Sequence, residues 1–196
     1  MLTSINNKQN FGAKYSGSAL IKMLNKGTAT YSTRTVSVLE FDSASRKDLE
    51  ALVKLADKWG SAKFSSDIAS TANRLHFSSG NNSQEKIYIL TTQNSNYNMI
   101  DVKQVLGLAE TSCGDNYAVY VNFLQTKPSL INKPNKSRKP KEFTHIGEGM
   151  LNLLKKKNAN RPVYLYPLPD VVQFYERNGF KKISESPLKM KWTAEG

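Results

Sequence analysis

The chain is short of cysteine and of long apolar runs, and each shortage excludes a class of protein. Cys113 is the only cysteine among 196 residues, so no disulfide can form within the chain. No apolar run approaches the roughly 20 residues that a membrane-spanning helix needs. The sequence therefore predicts no membrane span and no disulfide framework.

A secretion signal is also missing, because no basic and then apolar segment with a small-residue cleavage site is visible near the start. Together with the single cysteine, this predicts a cytoplasmic location. Secretion by a system that reads no hydrophobic signal would leave the same sequence, and that alternative stays open.

Acidic residues are few: the chain has 16 of them and 28 lysines and arginines, which gives a formal net charge of +12. This charge favours polyanionic partners such as nucleic acid, acidic proteins, anionic lipid or a phosphorylated cofactor. One segment is especially basic and carries no acidic residue before Glu142: Lys127, Lys133, Lys136, Arg138, Lys139 and Lys141. No aromatic residue is interleaved there, so a nucleic-acid partner is open but not favoured.

The length favours a single domain, and the 39% share of hydrophobic residues is enough for a core. Residues 1–30 are rich in Asn, Ser, Gly and Lys, which predicts a loosely ordered lead-in with one helical run at 19–24. The domain proper is expected at 31–196, with a basic insertion at about 129–141.

Periodicity predicts a mixed α/β fold. Ser45 followed by Asp48 resembles a capping box before a helix, and Asp170 is expected to cap the last helix, which Gly179 closes. Helices are predicted at about 46–59, 66–76, 147–157 and after 170. Strands are predicted at 33–41, 86–92, 102–112, 117–126, 162–166, 180–184 and 188–192.

The first chemical signal is a loop with Gly147 and Gly149 that leads into a helix. Free backbone N–H groups at a helix N-terminus bind anions, and glycine lets a diphosphate approach them. Two glycines before a helix are about as often a simple cap or turn. The loop lacks the third glycine of the dinucleotide fingerprint and the Gly-Lys-Ser/Thr of a Walker loop.

The second signal is a Phe174-Tyr175-Glu176 helix that ends in Gly179-Phe180. The two signals, about thirty residues apart with a strand between them, resemble the GNAT superfamily of N-acetyltransferases. In that family a Gln/Arg-x-x-Gly-x-Gly/Ala loop precedes a Phe-Tyr-Glu-x-x-Gly-Phe helix. The strands at 105–109 and 120–128 are similar to the family's third and fourth strands.

This resemblance implies a central mixed, mostly antiparallel, twisted sheet of six to seven strands flanked by about four helices. It implies acetyl-CoA as cosubstrate and an amine as acceptor, with no metal. The implied cofactor-binding residues lie in the fourth strand and in the glycine loop: Leu124, Gln125, Thr126, Thr144, His145, Ile146, Gly147, Glu148 and Gly149.

Three features depart from the family pattern. Thr144 stands where the family has Gln or Arg, and residues 129–141 replace a short connection. The asparagine near the start of the last helix is also missing, with Leu168-Pro169-Asp170 in its place.

The resemblance implies Tyr175 as the general acid for the departing thiolate, although the stripe of Val171, Val172 and Tyr175 also fits a core-facing surface. Glu110, late in the third strand, is the candidate general base, although a carboxylate at a strand end is more often solvated or ion-paired. Glu142 and His145 are rivals for the base role, and His145 is the better placed of the two for a phosphate. Cys113 has no recognisable histidine partner for a covalent route.

The sequence therefore predicts an N-acetyltransferase whose acceptor is left open between a protein lysine or N-terminus and a small amine. The alternative is a GNAT-like basic module that has little or no activity and binds nucleic acid or an acidic protein.

Overall fold

The fold was examined in a computed structural model that describes residues 12–60, 64–78, 84–131 and 140–194. Most of the basic insertion, including Lys133, Lys136, Arg138 and Lys139, lies outside the described residues. Among the described residues, no helix combines the length and the apolar character required to cross a bilayer.

Four α-helices form where the periodicity predicted them: α1 Arg46–Trp59, α2 Ser65–Phe77, α3 Ile146–Lys157 and α4 Val172–Arg177. Gly179 follows α4 with φ of 80°, the left-handed conformation that glycine tolerates. Asp170 does not cap this helix, contrary to prediction: α4 follows a short 3₁₀ turn, Pro169–Val171, and no side chain caps it.

The described strands form one sheet in the order β6-β1-β2-β3-β4-β5-β7-β9-β8. Its neighbours run antiparallel except β5 and β7, which are parallel. The strands are β1 Lys14–Leu24, β2 Tyr31–Glu40, β3 Glu85–Thr91, β4 Val105–Cys113, β5 Val119–Thr126, β6 Phe143–Thr144, β7 Val163–Leu165, β8 Lys181–Glu185 and β9 Leu188–Trp192. The mixed, mostly antiparallel sheet is confirmed.

The sheet has nine strands and not six to seven, because β1 and β6 were not predicted. The helical run predicted at 19–24 is wrong: this stretch lies in β1 and pairs with β2. Ala19 and Ile21 are buried whereas Leu20 between them is 62% exposed, so burial alternates with the period of a strand. Residues 14–24 of the segment predicted as a lead-in therefore form a paired strand.

Each face of the sheet carries two helices. One face, which we call the α3 face, packs against α3 and α4. Sheet residues such as Ile21 and Leu106 share a core cluster there with Leu151 of α3. The other, the α1 face, packs against α1 and α2 through residues such as Leu39 and Leu108. Both clusters are apolar, which provides the main driving force for folding.

The start of α1 is fixed as predicted, since the Ser45 hydroxyl accepts a hydrogen bond from the Asp48 N–H (3.2 Å). The Asp48 carboxyl is fully buried, and its Oδ1 has no hydrogen-bond partner among the described residues. Burial raises its pKa to about 6. The folded chain therefore binds a proton more tightly here than the unfolded chain, so the free energy of unfolding falls as the pH rises from about 4 to 6.

Asp48→Asn is expected to raise the free energy of unfolding at pH 7.5 by about 1–3 kcal/mol, because the amide carries no charge to desolvate. Urea unfolding at pH 4.5 and pH 7.5 measures this gain, which should be much smaller at the lower pH. Asp67→Asn is the matched control, an exposed aspartate in the first turn of α2. An equal gain at both pH values would show that folding does not raise the pKa of Asp48.

Candidate active site

A gap opens in the sheet where β5 and β7 diverge. β4 pairs with β5 from Val119 to Thr126, whereas β7 pairs with β5 only from Val119 to Val121. A β-bulge in β5 marks the point of separation. Glu110 of β4 pairs with Phe123 and Thr111 pairs with Val121, so Asn122 is an extra residue in β5. Beyond it, no described strand pairs with β5 on the β7 side.

Backbone N–H groups of β5 are exposed in this gap. Lys127 donates its N–H to the carbonyl of Leu106 (2.8 Å), which lies toward β4. Because successive residues of a strand direct their N–H groups to opposite sides, those of Leu124 and Thr126 point away from β4. The Gln125 side-chain amide donates to the Thr126 carbonyl (2.6 Å), so that acceptor is satisfied while the two donors stay free for a ligand.

The N-terminus of α3 supplies a second group of free donors. His145 is the N-cap, with φ of 60°, and its carbonyl accepts the first helical hydrogen bond from the Gly149 N–H (2.9 Å). The N–H groups of Ile146, Gly147 and Glu148 therefore have no partner within the helix. Together with the positive end of the helix dipole, they form a site suited to an anion.

Gly147 connects this helix end to the gap. A Cβ atom placed on it would lie 3.2 Å from Cζ of Phe174 and 3.8 Å from Cδ2 of Leu124. The structure thus brings together the first turn of α3, the free edge of β5 and α4, as the sequence motifs predicted. The atoms nearest to this Cβ position belong to side chains.

Gly149 has a different role, because it lies against β1. A Cβ atom there would come within 2.6 Å of the Leu20 carbonyl oxygen, a backbone atom that cannot move aside cheaply. Its N–H is also engaged in the helix. The second glycine therefore permits close packing of α3 on the sheet, and of the two glycines only Gly147 presents a free amide.

Gly149→Ala is expected to lower the free energy of unfolding by about 1–3 kcal/mol, because α3 must shift away from β1. Chemical denaturation measures the loss. Coenzyme A affinity, measured on the folded fraction well below the melting temperature, should change by less than about threefold. A large loss of affinity without a loss of stability would instead place Gly149 at the cofactor.

Tyr175 lies on the α3 face, half-buried in the core beside α3. Its ring packs edge-to-face against Phe174 (centroids 5.1 Å apart) and Phe180 (5.8 Å). Burial raises the pKa of its hydroxyl to about 12, so the phenol keeps its proton at neutral pH. This position of Tyr175 is consistent with both roles considered for it, a core-facing side chain and a general acid beside the gap.

Glu110 lies on the α1 face, so the sheet separates it from Tyr175. The side chain is 3% exposed; its Oε1 accepts from the Asn122 amide (3.1 Å), and Oε2 has no hydrogen-bond partner by geometry among the described residues. Burial raises its pKa, and the Asn122 amide, the Thr71 hydroxyl and the Arg74 guanidinium oppose the rise. Glu110 pairs with Phe123, the first residue of β5 beyond the bulge.

No protein-family model and no curated protein matches this sequence. Solved structures do match. An acetyltransferase of the GNAT family from Staphylococcus aureus Mu50 aligns over 80% of this chain and 97% of its own, at 14% identity and a TM-score of 0.50. The chain has the GNAT fold.

Two further GNAT-like matches carry coenzymes in their crystals. Campylobacter jejuni N-acetyltransferase PseH, in complex with acetyl coenzyme A, aligns over 79% of this chain and 97% of its own, at 12% identity and a TM-score of 0.47. Bacillus subtilis N-acetyltransferase YlbP, in complex with coenzyme A, aligns over 73% and 89%, at 11% identity and a TM-score of 0.43. The Staphylococcus aureus match confirms the predicted resemblance to GNAT proteins at the level of the fold.

Of the three departures from the GNAT pattern, Thr144 lies beside this helix end. Thr144 lies in β6, paired with Lys22, and its hydroxyl is 3.0 Å from Nδ1 of His145. His145 Nε2 lies 3.9 Å from the Glu148 carboxylate, so these side chains contact one another. Glu142 is nearby in the chain, where its carbonyl accepts from the Leu24 N–H (2.9 Å).

Two features of this candidate site were missed by the sequence reasoning. Phe174 was quoted as part of a motif, but its position against Gly147 depends on how α4 packs. The bulge at Asn122 has no local sequence signal, because it arises from the pairing of two strands. Cys113 lies away from the gap. The Arg161 guanidinium approaches the Cys113 Sγ (3.8 Å).

Proposed function

We propose that this chain transfers an acetyl group from acetyl-CoA to an amine. The observation that carries the proposal is the divergence of β5 and β7 beside the N-terminus of α3. There, two sets of backbone donors without a partner among the described residues lie near each other, because Gly147 of α3 is close to Leu124 of β5 and to Phe174.

The described residues fit acetyl-CoA. The free amides of Ile146, Gly147 and Glu148 suit the negative charge of a diphosphate. The free N–H groups of Leu124 and Thr126 suit the carbonyls of pantetheine and of the thioester. A cofactor bound in this way would lie along β5 in the place of an adjacent strand. Phe174 and Leu124 provide an apolar wall between the two sets of donors.

When bound, acetyl-CoA supplies a thioester carbonyl that a neutral amine can attack. Tyr175 is the proposed general acid, because its raised pKa keeps the hydroxyl protonated at neutral pH, so that a proton is available for the departing thiolate. The free N–H groups of β5 stabilise the charge that develops on the carbonyl oxygen.

Glu110 is the proposed general base, acting directly or through water. Burial raises its pKa toward neutrality, which makes it a better base than an exposed carboxylate. Since Glu110 and Tyr175 lie on opposite faces of the sheet, both can act on one acetyl group only if it lies in the gap between β5 and β7. The acceptor amine then approaches from the α1 face.

A product assay tests the proposal. The protein is incubated with acetyl-CoA and a panel of peptides, polyamines and tRNA, and each product is measured by mass spectrometry for a gain of one acetyl group. The panel distinguishes a protein lysine or N-terminus from a small amine. Acetylation of one class above the rate without protein is the expected result.

A thermal-shift titration separates this function from the alternative of a catalytically weak binding module. Saturating acetyl-CoA is expected to raise the melting temperature by about 5 °C or more, with little dependence on salt. A protein that is stabilised only by polyanions, with a steep salt dependence, is a binding module and not the proposed enzyme.

A further inference from the structure

One surface of the sheet combines one exposed and two half-buried tyrosine rings with lysines, and it has no part in the proposed reaction. On the α1 face, α1 and α2 pack on β2, β3 and β4, and no described helix packs over β7, β9 and β8. We call this uncovered area the tyrosine platform. Its members are Tyr120, Tyr164, Tyr166, Lys181, Lys189 and Lys191.

Three tyrosine rings form the platform. Tyr120 stacks on Tyr164 (centroids 5.4 Å apart, planes at 24°) and on Tyr166 (6.3 Å, 7°). Gly114 makes room for this arrangement, because a Cβ atom on it would lie 2.5 Å from the Tyr120 ring. Tyr166 is 54% exposed, so part of its ring is open to solvent.

Lysines surround the rings. The Lys189 ammonium lies 4.6 to 5.5 Å from the centroids of all three, and Lys191 lies 5.9 Å from that of Tyr164. Lys181 is the cross-strand partner of Lys191 and so shares its face. Among the described residues, no carboxylate forms an ion pair with any of these three lysines.

The geometry points to the tyrosine platform as a binding surface for single-stranded nucleic acid. Bases of any sequence stack on exposed aromatic rings, and unneutralised lysines beside the rings attract the phosphates that connect the bases. The net charge of +12 acts in the same direction at longer range. An acidic peptide would use the lysines but has no flat rings to place on Tyr166, so it is the less favoured partner.

Fluorescence anisotropy with labelled 20-nucleotide oligo(U) RNA and oligo(dT) DNA tests this inference on the full chain. Tyr166→Ala is expected to weaken binding by about tenfold or more, since it removes one stacking surface. The matched control is Tyr15→Ala, which removes a similarly exposed tyrosine stacked on Tyr97. Oligo(U) and oligo(dT) together show whether the platform prefers RNA or DNA.

A second variant tests the lysines through the salt dependence. Lys189→Gln with Lys191→Gln is expected to reduce the slope of log K against log salt by about 1.4, the value for two lost contacts to a single strand. Lys47→Gln with Lys54→Gln removes the same charge from exposed positions of α1 and should leave the slope nearly unchanged.

The inference is overturned if neither oligonucleotide binds, or if the control variants weaken binding as much as the platform variants. It is also overturned if polyglutamate competes as well as the strands while Tyr166→Ala has no effect, because the partner is then an acidic peptide. This test is independent of acetyl transfer, since every readout is a binding constant.

Discussion

Replacing Tyr175 by phenylalanine is expected to lower kcat by on the order of 10²–10⁴-fold while the protein stays folded. The loss follows from removing the proton donor of the departing thiolate. The fold should tolerate the change, because the ring keeps its edge-to-face contacts with Phe174 and Phe180. Steady-state kinetics with the acceptor found in the product assay measures kcat, and thermal unfolding measures the stability.

Tyr88→Phe is the matched control for this variant. Tyr88 is a second buried tyrosine on the α3 face whose pKa burial raises to about 12. It lies beside Lys157 at the opposite end of α3 from Gly147, so kcat should not change. An unchanged rate in the Tyr175 variant would assign Tyr175 to the core alone.

The pH dependence gives a second readout for Tyr175. A general acid acts in its protonated form, so the rate falls when the pH rises through its pKa. Because burial raises this pKa from 10 to about 12, Tyr175 should cause no fall in kcat below pH 10. A falling limb between pH 8 and 9 that disappears in the phenylalanine variant would contradict the raised pKa.

Gly147→Glu is expected to weaken coenzyme A binding at least a hundredfold. The substitution places a carboxylate beside the free amides of α3, where it would repel the diphosphate and compete for the same donors. Isothermal titration calorimetry measures the affinity, and circular dichroism confirms that the variant is folded.

Two variants separate the causes of this loss. Asn152→Glu introduces the same charge at an exposed position of α3 beyond its first turn, and its affinity should stay within about threefold of the wild type. Gly147→Gln adds the same volume without the charge. If it weakens binding as much as glutamate does, contact with Phe174 is the cause and not repulsion. Wild-type affinity in the glutamate variant would show that the diphosphate binds elsewhere.

The sequence predicted more of the local structure than of the sheet's extent. The strong periodicity around Leu49, Leu52 and Trp59 and the cap at Ser45 fixed α1, because each of these signals is contained within a few residues. The alternation in β1 is weaker, and serine, glycine and lysine obscure it. Its pairing with β2 and β6 decided that it is a strand.

Within the candidate site, the sequence located the parts but not their arrangement. Gly147, Tyr175 and the end of β5 were identified from short motifs, and the structure places them on neighbouring elements. The different roles of the two glycines were not predictable, because they depend on whether Leu20 or Phe174 lies opposite. Nor was the placement of Glu110 and Tyr175 on opposite faces, since it depends on which face of the sheet each helix covers.

By itself, the sequence determined the class of fold, the positions of most helices and strands, and a helix N-terminus with a free glycine amide. These follow from side-chain periodicity and from backbone chemistry that acts within one turn. The tertiary structure alone decided where β5 and β7 separate, which glycine faces the gap, and which tyrosines and lysines meet on the uncovered face. Each of these depends on residues tens of positions apart in the chain, which only the pairing of the strands brings together.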